Sequence, residues 1–464
     1  MATEPQKHYF PLLLLALTIC LFPIPKLIPL PLVANGNLMV AVTGLGIVLH
    51  SWLVVGRNNA GDGWLAVLVK PVLTPVGWCV SIFVLLTCGY LIYSVHHLWS
   101  TTKDPGLVAM IIKLWLVFLT GAALYYLPVL IIRSVVDLRW VVAAMASALV
   151  FYLVYIPSVI YSGWTAGTVK SLADVYQVIG IPDTLFKRIL LESVGNVNTI
   201  AAIAALITSF GLGFVAYNGL RPRCLMPLIT FGLFICVVMS ARAAVLSILA
   251  AILTLGWLRL STSQKGLRKK HLWLILILLI AGGGYLLPSG LNLFQAKPNL
   301  EFQGGGRLIV WKPYLKQCLH RPWGHGFGAD QYKSLLLGED RIPEMNTPLV
   351  LKHTSHNTYL SLFFEGGVLL PALYLAVMGL TLHNAYRIFK NTDSVPARSL
   401  AAATMLGLVS GLVTSFFGTH YTFPSFMGYM WLLVALGDIL ANLAGPRSSM
   451  PRHTEASPPI CSVA

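Results

Sequence analysis

Four polar side chains stand out because they lie at the edges of long apolar runs. Arg242 interrupts the apolar stretch of residues 224–258, Arg307 follows three glycines, and His356 and Asn357 precede a further apolar run. An arginine keeps its charge and donates paired hydrogen bonds to phosphate oxygens. A histidine can take a proton from a hydroxyl near neutral pH. These residue types therefore suit the binding of an anionic phosphate group beside a general base.

Each of these residues also has an ordinary structural interpretation. Arg242 could mark a helix end from which its side chain snorkels to the membrane surface, and Arg307 could be a solvated loop charge. His356 could be an interfacial histidine, and Asn357 could orient that histidine or simply cap the following helix. A charge in so short an apolar hairpin tends to mark function. Position alone therefore favours function for Arg242 and the structural alternative for Arg307 and His356.

The composition places these residues in a membrane protein. Of the 464 residues, 56% are hydrophobic and only 10% are charged, whereas a soluble domain carries about a quarter charged residues. The apolar runs are long enough to cross a bilayer, which takes about 20 residues as a helix. We predict an all-α polytopic membrane protein with about 12 transmembrane helices. The predicted spans are residues 9–24, 37–56, 72–95, 107–131, 140–161, 198–217, 224–241, 243–258, 272–288, 358–383, 399–419 and 424–444.

The lysines and arginines divide the predicted loops into two unequal sets. Alternate loops hold fourteen of these residues on one side and six in the short loops of the other. Because positive residues favour the cytoplasmic side, both termini are predicted to be cytoplasmic. The long polar loop, about residues 289–357, and a smaller loop, about 162–197, then lie outside. Residues 446–464 are predicted to form a disordered cytoplasmic tail.

The apolar stretch around Arg242 is too long for a single span. As one helix, its 35 residues would measure about 52 Å, against a hydrocarbon core of about 30 Å. Two short spans with a tight turn at residues 240–242 solve this problem and preserve the charge pattern. They place Arg242 at the outer surface, on the same side as the long loop.

Two further segments have the periodicity of amphipathic helices at the membrane surface. Residues 183–192 place apolar side chains on one face, namely Leu185, Phe186, Ile189 and Leu190. Residues 311–319 are the second candidate, with Pro313 acceptable only in the first turn.

Several other kinds of site are disfavoured by the sequence. The seven cysteines are scattered and odd in number, so no disulfide framework is predicted. His320, His325, His353 and His356 lack the spacing of a helical metal motif. Residues 324–328 lack the strand and helix that flank a nucleotide loop, so their glycines predict a tight turn. No basic segment is interleaved with aromatic residues as nucleic-acid binding would require.

Three separated motifs resemble those of the O-antigen ligase and polymerase superfamily. They are Gly-Arg-x3-Trp from Gly306 to Trp311, Pro-x-Gly-x-Gly from Pro322 to Gly326, and His-Asn-x-Tyr-Leu from His356 to Leu360 before an apolar helix. The resemblance covers roughly residues 225–440. The superfamily consists of bacterial membrane glycosyltransferases that use polyprenyl-diphosphate-linked glycans.

This resemblance implies a GT-C-like fold, with residues 1–445 as one transmembrane glycosyltransferase domain of the bacterial inner membrane. It implies an O-antigen ligase that moves a glycan from undecaprenyl diphosphate to a sugar hydroxyl of lipid A–core, on the periplasmic face and with inversion. It further implies that Arg242 and Arg307 bind the diphosphate, that His356 is catalytic and that Asn357 is secondary. No cofactor and no metal are expected.

Three alternatives remain open at the sequence level. An O-antigen polymerase of the same superfamily would use a second lipid-linked glycan as acceptor. A protein-glycosylating relative fits less well, since such enzymes tend to extend outside after the last span. A twelve-span transporter usually has two related halves joined by a sizeable cytoplasmic connection, whereas about six residues join the sixth and seventh predicted spans.

Overall fold

The computed structural model describes residues 6–21, 40, 42–45, 73–150, 197–217, 226–238, 242–262, 305–337, 341–352, 354–418 and 424–444. Within these ranges the regular elements are helices. The first group comprises α1 (Gln6–Leu21), α2 (Pro75–Thr102), α3 (Pro105–Ile131), α4 (Leu138–Val150), α5 (Val197–Tyr217), α6 (Met226–Val238) and α7 (Arg242–Thr262). The second comprises α8 (Gly305–His320), α9 (Lys333–Leu336), a 3-10 turn (Pro343–Asn346), α10 (Pro348–Lys352), α11 (Thr358–Gly366), α12 (Leu369–Asn391), α13 (Val395–Phe416) and α14 (Pro424–Ala444).

The described residues contain 7 helices that are long and apolar enough to cross a membrane, within α2, α3, α5, α7, α12, α13 and α14. Shorter apolar helices occur in α1 and α4. The prediction of an all-α polytopic membrane protein is therefore confirmed. The number of twelve spans stays a prediction, because residues 272–288 and most of 37–56 lie outside the described ranges.

Prolines and capping side chains set the starts of α2 and α3. Pro75 begins α2, and the Thr74 hydroxyl accepts a hydrogen bond from the Gly77 amide at 2.8 Å. Pro105 begins α3 behind Asp104, whose carboxylate caps the helix in the same way. Proline fits the first helical position because the amide that it lacks would be unpaired there. The third span, predicted at residues 72–95, thus starts at a proline and continues to Thr102.

The centre of the bundle is formed by α5, α13 and α14, whose side chains are mostly buried. Helix α5 packs along α13, α14 packs against α3, and α12 contacts α2, α13 and α14. Small residues allow the closest approach: a Cβ atom added at Gly213 of α5 would lie 2.6 Å from the Cα atom of Ala403 in α13. Close packing of this kind stabilises helix pairs where hydrophobic exclusion from water is weak.

Hydrogen bonds between helices identify the two ends of the bundle. At one end of the bundle, the Asp438 carboxylate of α14 accepts hydrogen bonds from the Thr74 and Tyr125 hydroxyls, both at 2.8 Å. Farther along α2, the Ser94 hydroxyl donates to the Phe327 carbonyl in the long loop at 2.9 Å. The loop therefore covers the C-terminal half of α2, whereas Asp438 marks the opposite end of the bundle.

The predicted span of residues 358–383 is wrong as a single helix. The chain forms α11, breaks at Gly367, and resumes as α12 at Leu369. Gly367 has φ 59° and ψ −157°, and the following amide of Val368 donates to the Pro322 carbonyl at 3.0 Å. This contact with the long loop holds the break, although the apolar pattern runs straight through it.

The predicted helix of residues 311–319 also needs correction. Helix α8 begins at Gly305, so that Pro313 lies in its interior rather than in its first turn. The missing proline amide removes only one intrahelical hydrogen bond, and Pro313 and Tyr314 are both buried by tertiary packing that offsets this loss.

The other predicted features have mixed outcomes. The apolar stretch around residue 240 is divided, as predicted, into α6, which ends at Val238, and α7, which begins at Arg242. The predicted amphipathic segment 183–192, the loop before Val197 and the tail 446–464 lie outside the described residues.

Candidate active site

Both predicted arginines lie in the first turn of a helix. Arg242 is the first residue of α7 and Arg307 is the third residue of α8. The structure describes their backbone only. The unpaired amides of a first helical turn carry partial positive charge, so each arginine adds its charge to a position that already favours anions.

The position of Arg242 follows from the pairing of α7 with α13. The Ser410 hydroxyl donates to the Ser247 hydroxyl at 3.1 Å. Twelve residues farther along α7, Arg259 makes a hydrogen bond with the Tyr217 hydroxyl. Arg398, twelve residues before Ser410 on α13, is near enough for its charge to act on the same hydroxyl. The two helices therefore run antiparallel, and each step back along α7 corresponds to a step forward along α13.

By this register, Arg242, five residues before Ser247, lies opposite residue 415, five residues after Ser410. The next residue, Phe416, contacts both other predicted site elements. Its ring lies 5.4 Å from that of Trp311 on α8 and 6.4 Å from that of Tyr359 on α11, centroid to centroid. The starts of α7 and α11 and the first half of α8 thus meet at the C-terminal end of α13.

His356 occupies a tightly constrained turn between the long loop and α11. It is half-buried and has φ 49°, in the left-handed region that residues other than glycine seldom adopt. The preceding residue is fixed, since the Trp311 indole donates to the Ser355 carbonyl at 2.7 Å. Such an uncommon backbone conformation persists when its neighbours hold it in place.

Asn357 acts as the N-cap of α11. Its side-chain oxygen accepts a hydrogen bond from the Leu360 amide at 3.0 Å, and the residue is buried. Of the two roles considered for Asn357, the structure shows the capping role. His356 therefore lies between two anchored residues, Ser355 and Asn357.

Below this turn lies a buried polar cluster centred on Asp330, which the sequence analysis did not identify. The Tyr314 hydroxyl of α8 donates to the Asp330 carboxylate at 2.5 Å, and the Ser355 amide donates to the same oxygen at 3.1 Å. The other carboxylate oxygen accepts from the hydroxyls of Ser355, at 3.2 Å, and Ser361. Asp330 thereby joins α8, the His356 turn and α11.

Two further ionisable residues surround Asp330. The Asp330 amide donates to the Glu365 carboxylate at 3.2 Å, and the Lys333 ammonium donates to the Asp330 carbonyl at 2.9 Å. Burial lowers the pKa of Lys333, and the nearby Asp330 charge partly opposes this change. Burial, and then the Asp330 charge, raise the pKa of Tyr314 well above its usual range. Tyr314 therefore remains a proton donor to Asp330 at any physiological pH.

A comparison with protein-family models matches residues 226–375 to the model described as Wzy_C, O-antigen ligase. The matched range contains all four predicted site residues and the Asp330 cluster. Residues 226–375 of this chain are therefore similar to the O-antigen ligase family. A comparison with curated proteins gives no match. The family implies a membrane glycosyltransferase that acts on lipid-linked glycans at a bilayer.

The glycine-rich segment at residues 324–328 is a tight turn, as predicted. The amides of His325 and Gly326 donate to the carbonyls of Phe364 and Glu365 in α11, both at 2.9 Å. A Cβ atom added at Gly324 would lie only 2.4 Å from the Glu365 carbonyl oxygen. The glycines thus let the long loop fit between α2 and α11.

The other histidines considered for a metal site, and Lys113, have separate outcomes. His320 is exposed at the end of α8, and His325 is buried against Phe364, with its ring nitrogen 3.2 Å from the Gln317 amide nitrogen. His353 lies outside the described residues. In the described ranges, no three His, Cys, Asp or Glu side chains are grouped to hold a metal ion. Lys113 is exposed on α3.

The chemical capacity of this region follows from the arrangement of its residues. A half-buried histidine with a fixed backbone lies near the starts of two helices that each carry an arginine. The sequence does carry a signal for the buried cluster: Asp330 is one of only 16 acidic residues and lies two positions after Gly328, the last glycine of the turn. Its partners are dispersed from Tyr314 to Ser361, and no sequence spacing connects them.

Proposed function

We propose that this protein is an O-antigen ligase. It transfers a glycan from undecaprenyl diphosphate to a sugar hydroxyl of lipid A–core at the periplasmic face of the bacterial inner membrane. The observation that carries the proposal is the meeting of α7, α8 and α11 at the C-terminal end of α13. This meeting brings the backbones of two arginines and of His356 into one region of a domain whose family acts on lipid-linked glycans.

In the proposed reaction, Arg242 and Arg307 bind the diphosphate and neutralise the charge that develops as it leaves. Electrostatic stabilisation of this type is often the largest contribution to catalysis. His356 accepts the proton of the acceptor hydroxyl. The oxygen attacks the anomeric carbon, the bond from that carbon to the diphosphate oxygen breaks, and the configuration inverts. The arginines supply the positive charge, and no metal or cofactor takes part.

The constrained turn at His356 suits this role. A general base must reach the proton that it removes within hydrogen-bond distance, and small displacements reduce the rate strongly. The anchors at Ser355 and Asn357 fix the backbone on both sides of the histidine, while its side chain remains partly exposed.

The proposed sidedness rests on the distribution of charge. If the long loop is left out, most of the basic residues in the described part of the chain lie at the helix ends remote from that loop. They are Arg133, Arg139, Arg259, Arg387, Lys390 and Arg398. That end is proposed to be cytoplasmic, with both termini, and the loop end periplasmic.

Cysteine labelling tests the sidedness. Gln331 is exposed in the long loop, so Gln331→Cys should react with a membrane-impermeant maleimide added to intact cells. Gln264→Cys, in the basic connection after α7, should react only after the cells are opened. Leu337 is buried and would be a poor probe. The reverse labelling pattern would place the site on the cytoplasmic face.

The transfer assay tests the function itself. Purified protein is given lipid-linked glycan together with either rough lipopolysaccharide or further donor, and the acceptor that grows is identified. Growth of lipopolysaccharide supports the ligase. Growth of the lipid-linked chain alone would show a polymerase of the same superfamily, and growth of neither would remove the proposal.

Variants distinguish the proposed roles. His356→Ala should lower the rate by about 10²–10⁴ while the donor still binds, because the base acts only on the acceptor hydroxyl. Arg242→Ala and Arg307→Ala should weaken donor binding as well. Lys312→Ala removes an exposed cation from α8 and serves as the matched control with normal transfer. Normal transfer by His356→Ala would refute its catalytic role.

A further inference from the structure

Asp330 differs from the other charged residues near the site because both of its carboxylate oxygens are used within the protein. One oxygen accepts from the Tyr314 hydroxyl and the Ser355 amide, and the other from the hydroxyls of Ser355 and Ser361. The residue is completely buried. It therefore cannot contact a substrate directly, and its influence has to pass through these partners.

The partners of Asp330 are the residues next to the proposed catalytic groups. Ser355 immediately precedes His356. Tyr314 lies on α8 seven residues after Arg307, and Trp311 lies four residues after it, so the three share one helical face by register. Trp311 and Tyr314 are both tied to the His356 turn, through the Ser355 carbonyl and through Asp330.

We infer that Asp330 is a positioning residue that fixes the His356 turn relative to α8, and so relative to Arg307. The inference rests on the proposed function, because it concerns the spacing between the base and the diphosphate ligand. Such a bridge leaves the chemistry of the imidazole and of the guanidinium unchanged. It sets the distance between them, and so whether the activated acceptor hydroxyl is in line with the bond that breaks in the bound donor.

The test is a comparison of Asp330→Ala and Asp330→Asn in the purified enzyme. Asparagine keeps one accepting oxygen for Tyr314 and the Ser355 amide, and its amino group can donate to the two serine hydroxyls. Asp330→Ala should lower kcat by about 10²-fold, which is the effect of a displacement of about 1 Å in a catalytic group, with the KM for donor nearly unchanged. Asp330→Asn should stay within about tenfold of the wild-type rate, since positioning depends on the hydrogen bonds.

A second variant tests the same bridge if Asp330→Ala fails to fold. Tyr314→Phe removes the hydroxyl that joins α8 to Asp330 but keeps the ring, which packs 4.8 Å from Phe364, centroid to centroid. It should lower kcat in the same direction as Asp330→Ala, by a smaller factor. An unchanged kcat in Tyr314→Phe would overturn the bridge between α8 and the histidine turn.

A double-mutant cycle separates positioning from general stability. If Asp330 acts through His356, then adding Asp330→Ala or Tyr314→Phe to His356→Ala should cost no further activity per folded molecule. A further loss equal to that of the single variant would overturn the inference. Normal activity of His356→Ala would instead refute the proposed catalytic role of His356, on which the inference rests. Loss in His356→Ala with normal activity in Asp330→Ala would refute the positioning role alone.

Discussion

Gly367, which separates α11 from α12, provides a demanding test of the fold near the site. An alanine at this position would have to adopt φ 59° and ψ −157°, a region essentially restricted to glycine, at a cost of about 1–3 kcal/mol. Its Cβ atom would lie 2.2 Å from the Pro322 carbonyl oxygen and 2.6 Å from the carbonyl carbon of Trp323. Both are backbone atoms and cannot rotate away.

Relief of this clash must also disturb the hydrogen bond from the Val368 amide to Pro322, which contributes about 0.5–1.5 kcal/mol. Gly367→Ala should therefore lower the free energy of unfolding by about 2–4 kcal/mol. The measurement is an equilibrium unfolding titration with SDS in mixed detergent micelles, followed by helix circular dichroism. Transfer activity should fall too, since the turn at Pro322 leads into the loop that carries Asp330.

Gly379→Ala is the matched control. Gly379 lies within α12 with no atom near its missing side chain, and alanine is the better helix former by about 0.5–1 kcal/mol. This variant should unfold at the same SDS fraction as the wild type or slightly higher. A Gly367→Ala protein as stable as the wild type would refute the steric reasoning. Equal destabilisation of both variants would show that the backbone geometry at Gly367 is not the cause.

Three further predictions concern Cys318, Asp438 and Arg242. Burial raises the pKa of the Cys318 thiol from 9.0 to about 12. At pH 8 the thiolate is therefore about a thousandfold scarcer than in the unfolded chain, and alkylation of Cys318 should be correspondingly slow. Peptide mass spectrometry measures the rate of alkylation. The stability contributed by keeping this thiol protonated is complete below pH 9 and is lost as the pH rises towards 12, so SDS unfolding should become easier over that interval, and less so in Cys318→Ala. Asp438→Ala removes the acceptor of the Thr74 and Tyr125 hydroxyls and should cost about 1–3 kcal/mol in the same titration, with unchanged transfer per folded molecule because the residue lies at the bundle end remote from the loop. In the transfer assay, Arg242→Lys should be less active than the wild type and more active than Arg242→Ala, since lysine keeps the charge and loses the paired hydrogen bonds. Full activity of Arg242→Lys would show that the charge alone is needed and that the paired hydrogen bonds are not.

The sequence predicts the helical membrane character because long apolar runs leave few other structures available to a chain in lipid. It also predicts the division at residue 240, since one helix would be far too long. It does not predict the break at Gly367, where the apolar pattern continues and only the contact with Pro322 interrupts the helix. The start of α8 was missed for a similar reason, because tertiary packing offsets the interior Pro313.

Some residues of the candidate site can likewise be predicted from the sequence, and others cannot. Arg242 can be singled out from the sequence because a charge inside so short an apolar hairpin is rare. Arg307 and His356 can be singled out only through the motifs that resemble the O-antigen ligase superfamily. The catalytic roles of all three residues stay predictions. Asn357 could not be assigned from spacing alone, since a cap and a histidine partner require the same residue type. Asp330 was not found because its hydrogen-bond partners become neighbours only when α8, the loop and α11 pack together.

The contacts of the glycine turn also determine when the enzyme can become active during its synthesis. The Phe327 carbonyl bonds to Ser94, 233 residues earlier in the chain, and the Gly326 amide bonds to Glu365, which is made later. Contacts between distant parts of a chain form late, because the intervening segment must first be ordered. The long loop therefore cannot take its final position until α11 has been synthesised. Until then the candidate site is not assembled, so a partly synthesised chain is expected to be inactive.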